Sequence, residues 1–215
     1  MTSRNIISQL SRILGSKLFI MTFISILSIS LTTVYVMSEP WTQDRFMSIS
    51  TLGEGMKAEH YFAKQNSTLM TGDEMHWFVN IHNHFGNSKY VSIRMYVLNS
   101  TQSIPLDAES EEGKYPMVYE SRYLLEDNAT VTVPVNWSII GADKHYGYIM
   151  ISDLKVNGRD IKGVETRSVQ DNNSFRVIFE LWTYDSNLNR FVLNQPNDSN
   201  NENYVWNQIW FKLNI

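Results

Sequence analysis

The sequence predicts an all-β fold: an antiparallel Ig-like β-sandwich of about seven to eight strands, preceded by one N-terminal transmembrane helix. Three observations predict it. One long uncharged run lies near the N-terminus, the rest of the chain alternates apolar and polar residues with period two, and no later stretch sustains a helical apolar period.

The uncharged run, "LFIMTFISILSISLTTVYVMS", covers 21 residues from Leu18 to Ser38. At a helical rise of about 1.5 Å per residue it spans roughly 30 Å, the thickness of a bilayer's hydrocarbon core. Arg4, Arg12 and Lys17 precede it, and no acidic residue appears before Glu39. Positive charge is retained on the cytoplasmic side, so everything after the run is exported. The organisation that follows is a short cytoplasmic segment over 1–17, a signal-anchor helix over 18–38 and an exported domain over 39–215. The location is the cell membrane, crossed once, with the C-terminal domain extracytoplasmic. A cleaved signal peptide is the rival reading. Its apolar region is usually about 7–15 residues and ends at a small-x-small site, which Val36-Met37-Ser38 matches poorly.

In the exported part the strands come in order. "RFMSISTL" (45–52) is the first. "EMHWFVNIHNHF" (74–85) sets Met75, Trp77, Val79 and Ile81 against His76, Phe78, Asn80, His82 and His84. "KYVSIRMYVLN" (89–99) carries Val91, Ile93, Met95 and Val97 on one face. "ATVTVPVNWSI" (129–139) is the cleanest alternation, and its Pro134 points to an edge or a bulge. "YGYIMISDLKV" (146–156) runs into Asn157-Gly158, a hairpin signal. "SFRVIFELWTYD" (174–185) and "YVWNQIWFKLNI" (204–215) complete the set. The acidic stretch 101–116 reads as a connection, and the polar stretch 194–203 as a long hairpin loop.

Composition excludes several functions. The chain has no cysteine, so disulfides, thiolate metal sites and a cysteine nucleophile are ruled out. Of 18 basic residues, 15 lie after Ser38 with all 22 acidic ones, a net charge of about −7 on the exported part. That sign argues against nucleic acid as a partner.

Three stretches resemble an archaeal family of membrane-anchored proteins, domain of unknown function 1616 (DUF1616). "LGEGMKAEHY" (52–61), with Gly72 after it, is similar to the family's opening motif. "NIHNHFGNSKYVSIRMYV" (80–97) resembles its Asn-His-x-Gly turn between two strands, and "YVWNQIWFKLNI" (204–215) its aromatic closing strand. Phe85 stands where the family usually has Glu, Gln208-Ile209 replaces a His-Leu pair, and many members carry several spans where this chain has one. The resemblance implies an Ig-like exported domain without an assigned reaction.

Candidate chemistry is sparse. Alternate residues on a strand share a face, so His82 and His84, with His76 further along, are candidate ligands for zinc or copper. The same histidines read equally as a solvated outer face running into a turn at His84-Phe85-Gly86-Asn87, and that reading is preferred, with no metal and no cofactor assigned. "DLKVNGRDIKGVE" (153–165) fails as a calcium loop, because Lys155 occupies a ligand position. "LGEGMK" lacks the third glycine and the helix of a phosphate loop. No catalytic motif is legible, so the expectation is a binding protein, not an enzyme.

Alternation places Trp182, Tyr184, Tyr204, Trp206 and Trp210 on the face opposite the expected core residues Phe175, Val177, Phe179 and Leu181 of one strand and Val205, Ile209, Phe211, Leu213 and Ile215 of the other. If the last two long strands pair, these aromatics form one outer patch suited to a protein partner or a sugar. The bland alternative is cross-strand pairs that stiffen the sheet. Six N-x-S/T sequons, at Asn66, Asn99, Asn128, Asn136, Asn172 and Asn197, all lie after the span and are candidate glycosylation sites. The reading is therefore an anchored accessory subunit of a cell-surface or membrane assembly. Surface-glycan binding or envelope-polysaccharide assembly, and exported copper or zinc binding, are the alternatives.

Overall fold

The computed structural model describes residue 15 and residues 17–38, 45–62, 66–103, 115–196 and 202–215. The chain divides into two units, Met1–Gln43 and Asp44–Ile215.

The first unit holds helix α1, Lys17–Ser38. Its Phe19–Ser38 portion is long and apolar enough to cross a membrane. The run is rich in Ser and Thr, whose hydroxyls are costly in hydrocarbon unless bonded. Here they are bonded. Ser25 donates to the Met21 carbonyl at 2.9 Å, Thr32 to Ser28 at 2.9 Å and Thr33 to Ile29 at 2.8 Å. These three hydroxyls are thus satisfied within the helix, an arrangement compatible with a lipid environment. Arg4 and Arg12 lie outside the described residues; Lys17 opens the helix.

The second unit is two β-sheets. One has five strands in the order β1 (Phe46–Leu52), β3 (Glu74–His84), β6 (Thr130–His145), β7 (Tyr148–Val156) and β8 (Arg159–Arg167). The other has six: β2 (Thr68–Met70), β13 (Trp206–Asn214), β9 (Ser174–Asp185), β4 (Lys89–Asn99) and β5 (Met117–Leu125) in that order, with β10 (Arg190–Val192) also on β9. A ribbon of β11 (Asn194–Pro196) and β12 (Glu202–Tyr204) is added. Pairing is antiparallel except where β2 runs parallel to β13.

The two sheets carry eleven strands against an expected seven or eight. The additions have a common cause. Strand β5 reads "MVYESRYLL" and β8 reads "RDIKGVETR". Both are edge strands, where one partner and one half-buried face suffice and charge is an asset against edge-to-edge pairing. Neither shows an apolar alternation strong enough to signal a strand.

The inner faces meet as the alternation predicts. Trp77, Val79, Val91, Ile93, Phe175, Val177, Phe179, Leu181 and Leu213 are all fully buried in one cluster. Across the layers Trp77 meets Phe179 with ring centroids 6.2 Å apart, and Trp137 meets Phe211 at 5.7 Å. Each such burial contributes about 1.5–3 kcal/mol. The Trp77 indole nitrogen donates to the Tyr61 carbonyl at 2.7 Å, and the Tyr61 hydroxyl to the Thr51 carbonyl at 2.9 Å. The "LGEGMKAEHY" segment thereby closes over one end of the core. It turns so tightly at Gly53 that a Cβ there would lie 2.2 Å from the Glu59 carbonyl oxygen.

Pro134 lies in a central strand, yet the edge reading holds locally. It pairs with Phe78 on β3, while on the other side β7 begins only at the Trp137–Val156 pair. Asn136 N–H and carbonyl both face the Asn157 turn, so the missing donor of Pro134, two residues away, falls where β6 has no second neighbour. The Asn157-Gly158 hairpin is present, with both residues at positive φ, 47° and 80°.

Candidate binding surface

Strand β9 occupies the middle of the larger sheet, with β4 along one edge and β13 then β10 along the other. Its inward residues are core. Its outward residues, Arg176, Ile178, Glu180 and Trp182, are also buried, at 8%, 0%, 1% and 6% exposure.

Register sets charges side by side on this outer face. Trp206 pairs with Glu180, Glu180 with Arg94, and Arg94 with Glu120. The next row brings Trp182 beside Ser92 and Ser92 beside Arg122. The Glu120 carboxylate accepts from Ser92 Oγ at 2.7 Å, Arg94 Nε at 3.3 Å and Arg122 at 2.7 Å. The Arg94 guanidinium lies 4.1 Å above the Trp182 ring. Trp182 Nε1 donates to Glu180 Oε2 at 2.9 Å, while Glu180 Oε1 is buried without a hydrogen-bond partner.

The two carboxyl groups are driven apart. Burial pushes Glu180 up to about 7, against the opposing pull of the Trp182 hydrogen bond and the Arg94 charge. Burial acts on Glu120 in the same sense, but the hydrogen bonds from Arg122 and Ser92, with the charges of Arg122 and Arg94, outweigh it and leave Glu120 below the ordinary carboxylate value. The arrangement is a charged floor that fixes β4, β5 and β9. Within this outer face Glu180 Oε1 and Arg176 Nε are buried without a hydrogen-bond partner.

The expected single aromatic patch does not form. Trp182 is not a surface residue; Phe191, Leu193 and Tyr204 pack on it as a second small cluster. The error has a physical reason: alternation assigns a side chain to a face but does not show what covers that face. Trp206 is half-buried. Trp210 is 41% exposed, its ring 5.0 Å from the Arg176 guanidinium. Tyr184 is 36% exposed and belongs elsewhere. It sits eight residues along β9 from the residue under Trp210, which is about 26 Å of strand.

Around Tyr184 a different patch assembles. Its ring lies 5.9 Å from Tyr90 and 5.5 Å from Phe191, with Tyr90 and Phe191 5.2 Å apart. Leu124 pairs with Tyr90 and is 71% exposed; Leu188, in the adjoining turn, is 54% exposed. Arg122 flanks it, 4.9 Å over Phe191. Tyr90 was legible as an outer residue of its strand. Leu124 was hidden because β5 was not read as a strand.

The histidines separate. His76 bonds Asn136 Oδ1 at 3.0 Å, and His82 bonds Thr130 Oγ1 at 2.9 Å. Six residues of strand, about 20 Å, divide His76 from His82. His82 and His84 stack at 5.9 Å beside Phe46. Among the described residues no group of three or more His, Asp or Glu side chains is placed to hold a metal. The residue between them does more. Asn83 is fully buried; its Nδ2 reaches the carbonyls of Asn87, Leu125 and Glu126 at 2.8, 3.2 and 3.0 Å, and its Oδ1 accepts from Phe85 N–H at 3.1 Å. It ties the β3–β4 turn to the β5–β6 turn. That role answers what the His-Asn-His stretch is for at least in part: it is a turn anchor.

On the open side of the sandwich a cleft of about 560 Å³ is lined by Met117, Tyr119, Glu120, Val156, Arg159 and Ile161.

No protein-family model and no curated protein matches this chain. Among solved structures it is similar to a CARDB domain from Pyrococcus furiosus in complex with di-metal ions, at 9% identity and TM-score 0.39, over 81% of this chain and 97% of that one. A beta-glucosidase from Listeria innocua is similar at 13% identity and TM-score 0.35, over 79% of this chain but 16% of the enzyme. Spo0M from Bacillus subtilis is similar at 10% identity and TM-score 0.33, over 79% of this chain and 49% of that one.

Proposed function

We propose that this chain is a single-pass, membrane-anchored interaction module, an accessory subunit of a cell-surface or membrane assembly. On this reading it presents an Ig-like sandwich of the DUF1616 kind outside the cell and acts by binding, without chemistry of its own. The apolar helix α1 supports the anchor, with a secretion signal as the coarser alternative. The observation that carries the binding role is the patch of Tyr90, Leu124, Tyr184 and Leu188, four large side chains each at least 36% exposed. Aromatic anchors on a rigid base dominate many protein interfaces, and here the Arg94–Glu120–Arg122 floor supplies the rigidity.

Purification in mild detergent tests it. A stoichiometric partner is expected with the unaltered chain and is expected to be lost with Leu124→Glu or with Tyr90→Ala and Tyr184→Ala combined, while circular dichroism stays unchanged. Retention of every partner by folded variants would remove this surface as the site. A glycan reading is favoured by one observation, the exposed Trp210 face beside Gln208 and Arg176, with Arg176 donating to Gln208 at 2.8 Å. Its test is glycan-array binding abolished by Trp210→Ala.

A further inference from the structure

Of the six sequons, Asn197 lies outside the described residues; the other five differ in what the fold has done with each asparagine, and that difference sorts them. Asn99 is spent: its Nδ2 donates to the Arg167 carbonyl at 2.7 Å, and its Oδ1 accepts from the N–H groups of Thr101 and Gln102, both at 2.8 Å. Asn172 is half-buried, with Nδ2 on Ser100 Oγ at 3.3 Å and Oδ1 taking the Ser174 N–H at 2.9 Å. Asn136 is exposed, but the rest of its sequon is not. Trp137 and Ser138 are 2% and 5% exposed in the central strand β6, so the hydroxyl an enzyme must read is inside the sheet.

Asn128 is different. It is exposed at the tip of the β5–β6 turn with φ of 59°, a conformation asparagine tolerates in a turn. Thr130, its sequon residue, is also exposed, with its hydroxyl 2.9 Å from His82 Nδ1 at the sheet surface. The turn under it is held by Asn83 and by Asp127, whose carboxylate accepts the Gly86 N–H at 2.7 Å. Asn66 is exposed too, its Oδ1 taking the Thr68 N–H at 3.1 Å, and its sequon residue Thr68 is half-buried on the edge strand β2.

We infer that Asn66 and Asn128 are N-glycan attachment sites on the folded domain, and that Asn99, Asn136 and Asn172 are not. The inference rests on the exported topology proposed above. In the reaction, Asn128 Nδ2 displaces the lipid phosphate from C1 of a lipid-linked oligosaccharide. The N–C1 bond forms, the C1–O bond breaks, the lipid phosphate leaves with the electron pair, and one Nδ2 proton passes to a base on the transferase.

The test is glycopeptide mass spectrometry on the full chain from its own cells, combined with protease shaving of intact cells. Glycan mass is expected on the Asn66 and Asn128 peptides, with the Asn99, Asn136 and Asn172 peptides bare. Thr130→Ala and Asn128→Asp should each remove one glycan's mass; Asp tolerates the same turn conformation, so loss in both excludes misfolding as the cause. A glycan on Asn99, Asn136 or Asn172, or a bare Asn128 in a domain that shaving releases, overturns the inference while leaving the topology standing. A domain that shaving does not reach sinks both.

Discussion

The two outer faces of the sandwich obey the same alternation and end in opposite conditions. On the five-stranded sheet the outward residues of β1, β3 and β6, such as Ser48, Ser50, His76, Thr132 and Asn136, meet solvent. On the six-stranded sheet the outward residues of β9 from Arg176 to Trp182 are as buried as its inward ones. The difference lies in cover. β3 and β6 have strands along both edges as β9 does, but Phe191, Leu193 and Tyr204 close over the Trp182 of β9. A charged row on the first face would be a solvated surface worth little. On the second it becomes a buried network in which each group depends on the next.

The largest expected effect tests that contrast directly. Trp182→Ala removes a buried indole, the support of Arg94 and the hydrogen bond to Glu180, and should cost about 3–5 kcal/mol, the range for a core aromatic. Trp210→Ala, on the same face but 41% exposed, should cost under about 1 kcal/mol. Urea unfolding of the two variants is the measurement. Equal losses would mean that the outer face is uniformly covered or uniformly bare.

Next comes pH. Glu180 titrates near 7 in the fold because burial disfavours its charge. A carboxyl raised above its unfolded value favours the native state through its bound proton. That stability is fully present below about 4.5, the unfolded value, and is lost as pH rises through about 7. The shift corresponds to on the order of 3 kcal/mol. Glu180→Gln should therefore flatten the stability profile between about pH 4.5 and about 7, and raise stability at the alkaline end. An unaltered slope in that variant would assign the pH dependence to another group.

The same contrast explains what was legible. Period two located seven long strands and the inward core, because Trp77, Val79, Phe175 and Phe179 alternate with residues of other character. It located the Asn157-Gly158 hairpin, because backbone chemistry there is local. It missed β5, whose partner β4 lies well back in the sequence, and β8, which follows β7 directly through the Asn157-Gly158 hairpin but whose charged residues break the alternation. It misplaced Trp182 because the residues that bury it, Phe191, Leu193 and Tyr204, lie outside its own strand. The eight residues of β9 from Phe175 to Trp182 are all buried, and "FRVIFELW" is apolar enough at both parities to have signalled a strand covered on two sides. The charged residues within it masked that signal. Of the exposed patch, Tyr184 was named from the sequence, whereas Tyr90, Leu124 and Leu188 were not.

The smallest expected effect belongs to the histidines of the first face. His82 and His84 are half-buried, stack on each other and lean on Phe46, and His82 holds Thr130. Losing those contacts at an exposed sheet surface should cost within about 0.5 kcal/mol for each. Asn83 between them points the other way, fully buried under bonds to three carbonyls. Replacing it with alanine leaves those carbonyls and the Phe85 N–H without their partner, a loss of about 1–3 kcal/mol per group stranded. Thermal melts of His82→Ala with His84→Ala should therefore nearly overlay the unaltered domain, with or without a chelator, while Asn83→Ala melts well below it. A double histidine variant that loses a stoichiometric metal, or falls as far as the Asn83 variant, would reverse the roles assigned to the three residues and make this face the functional one.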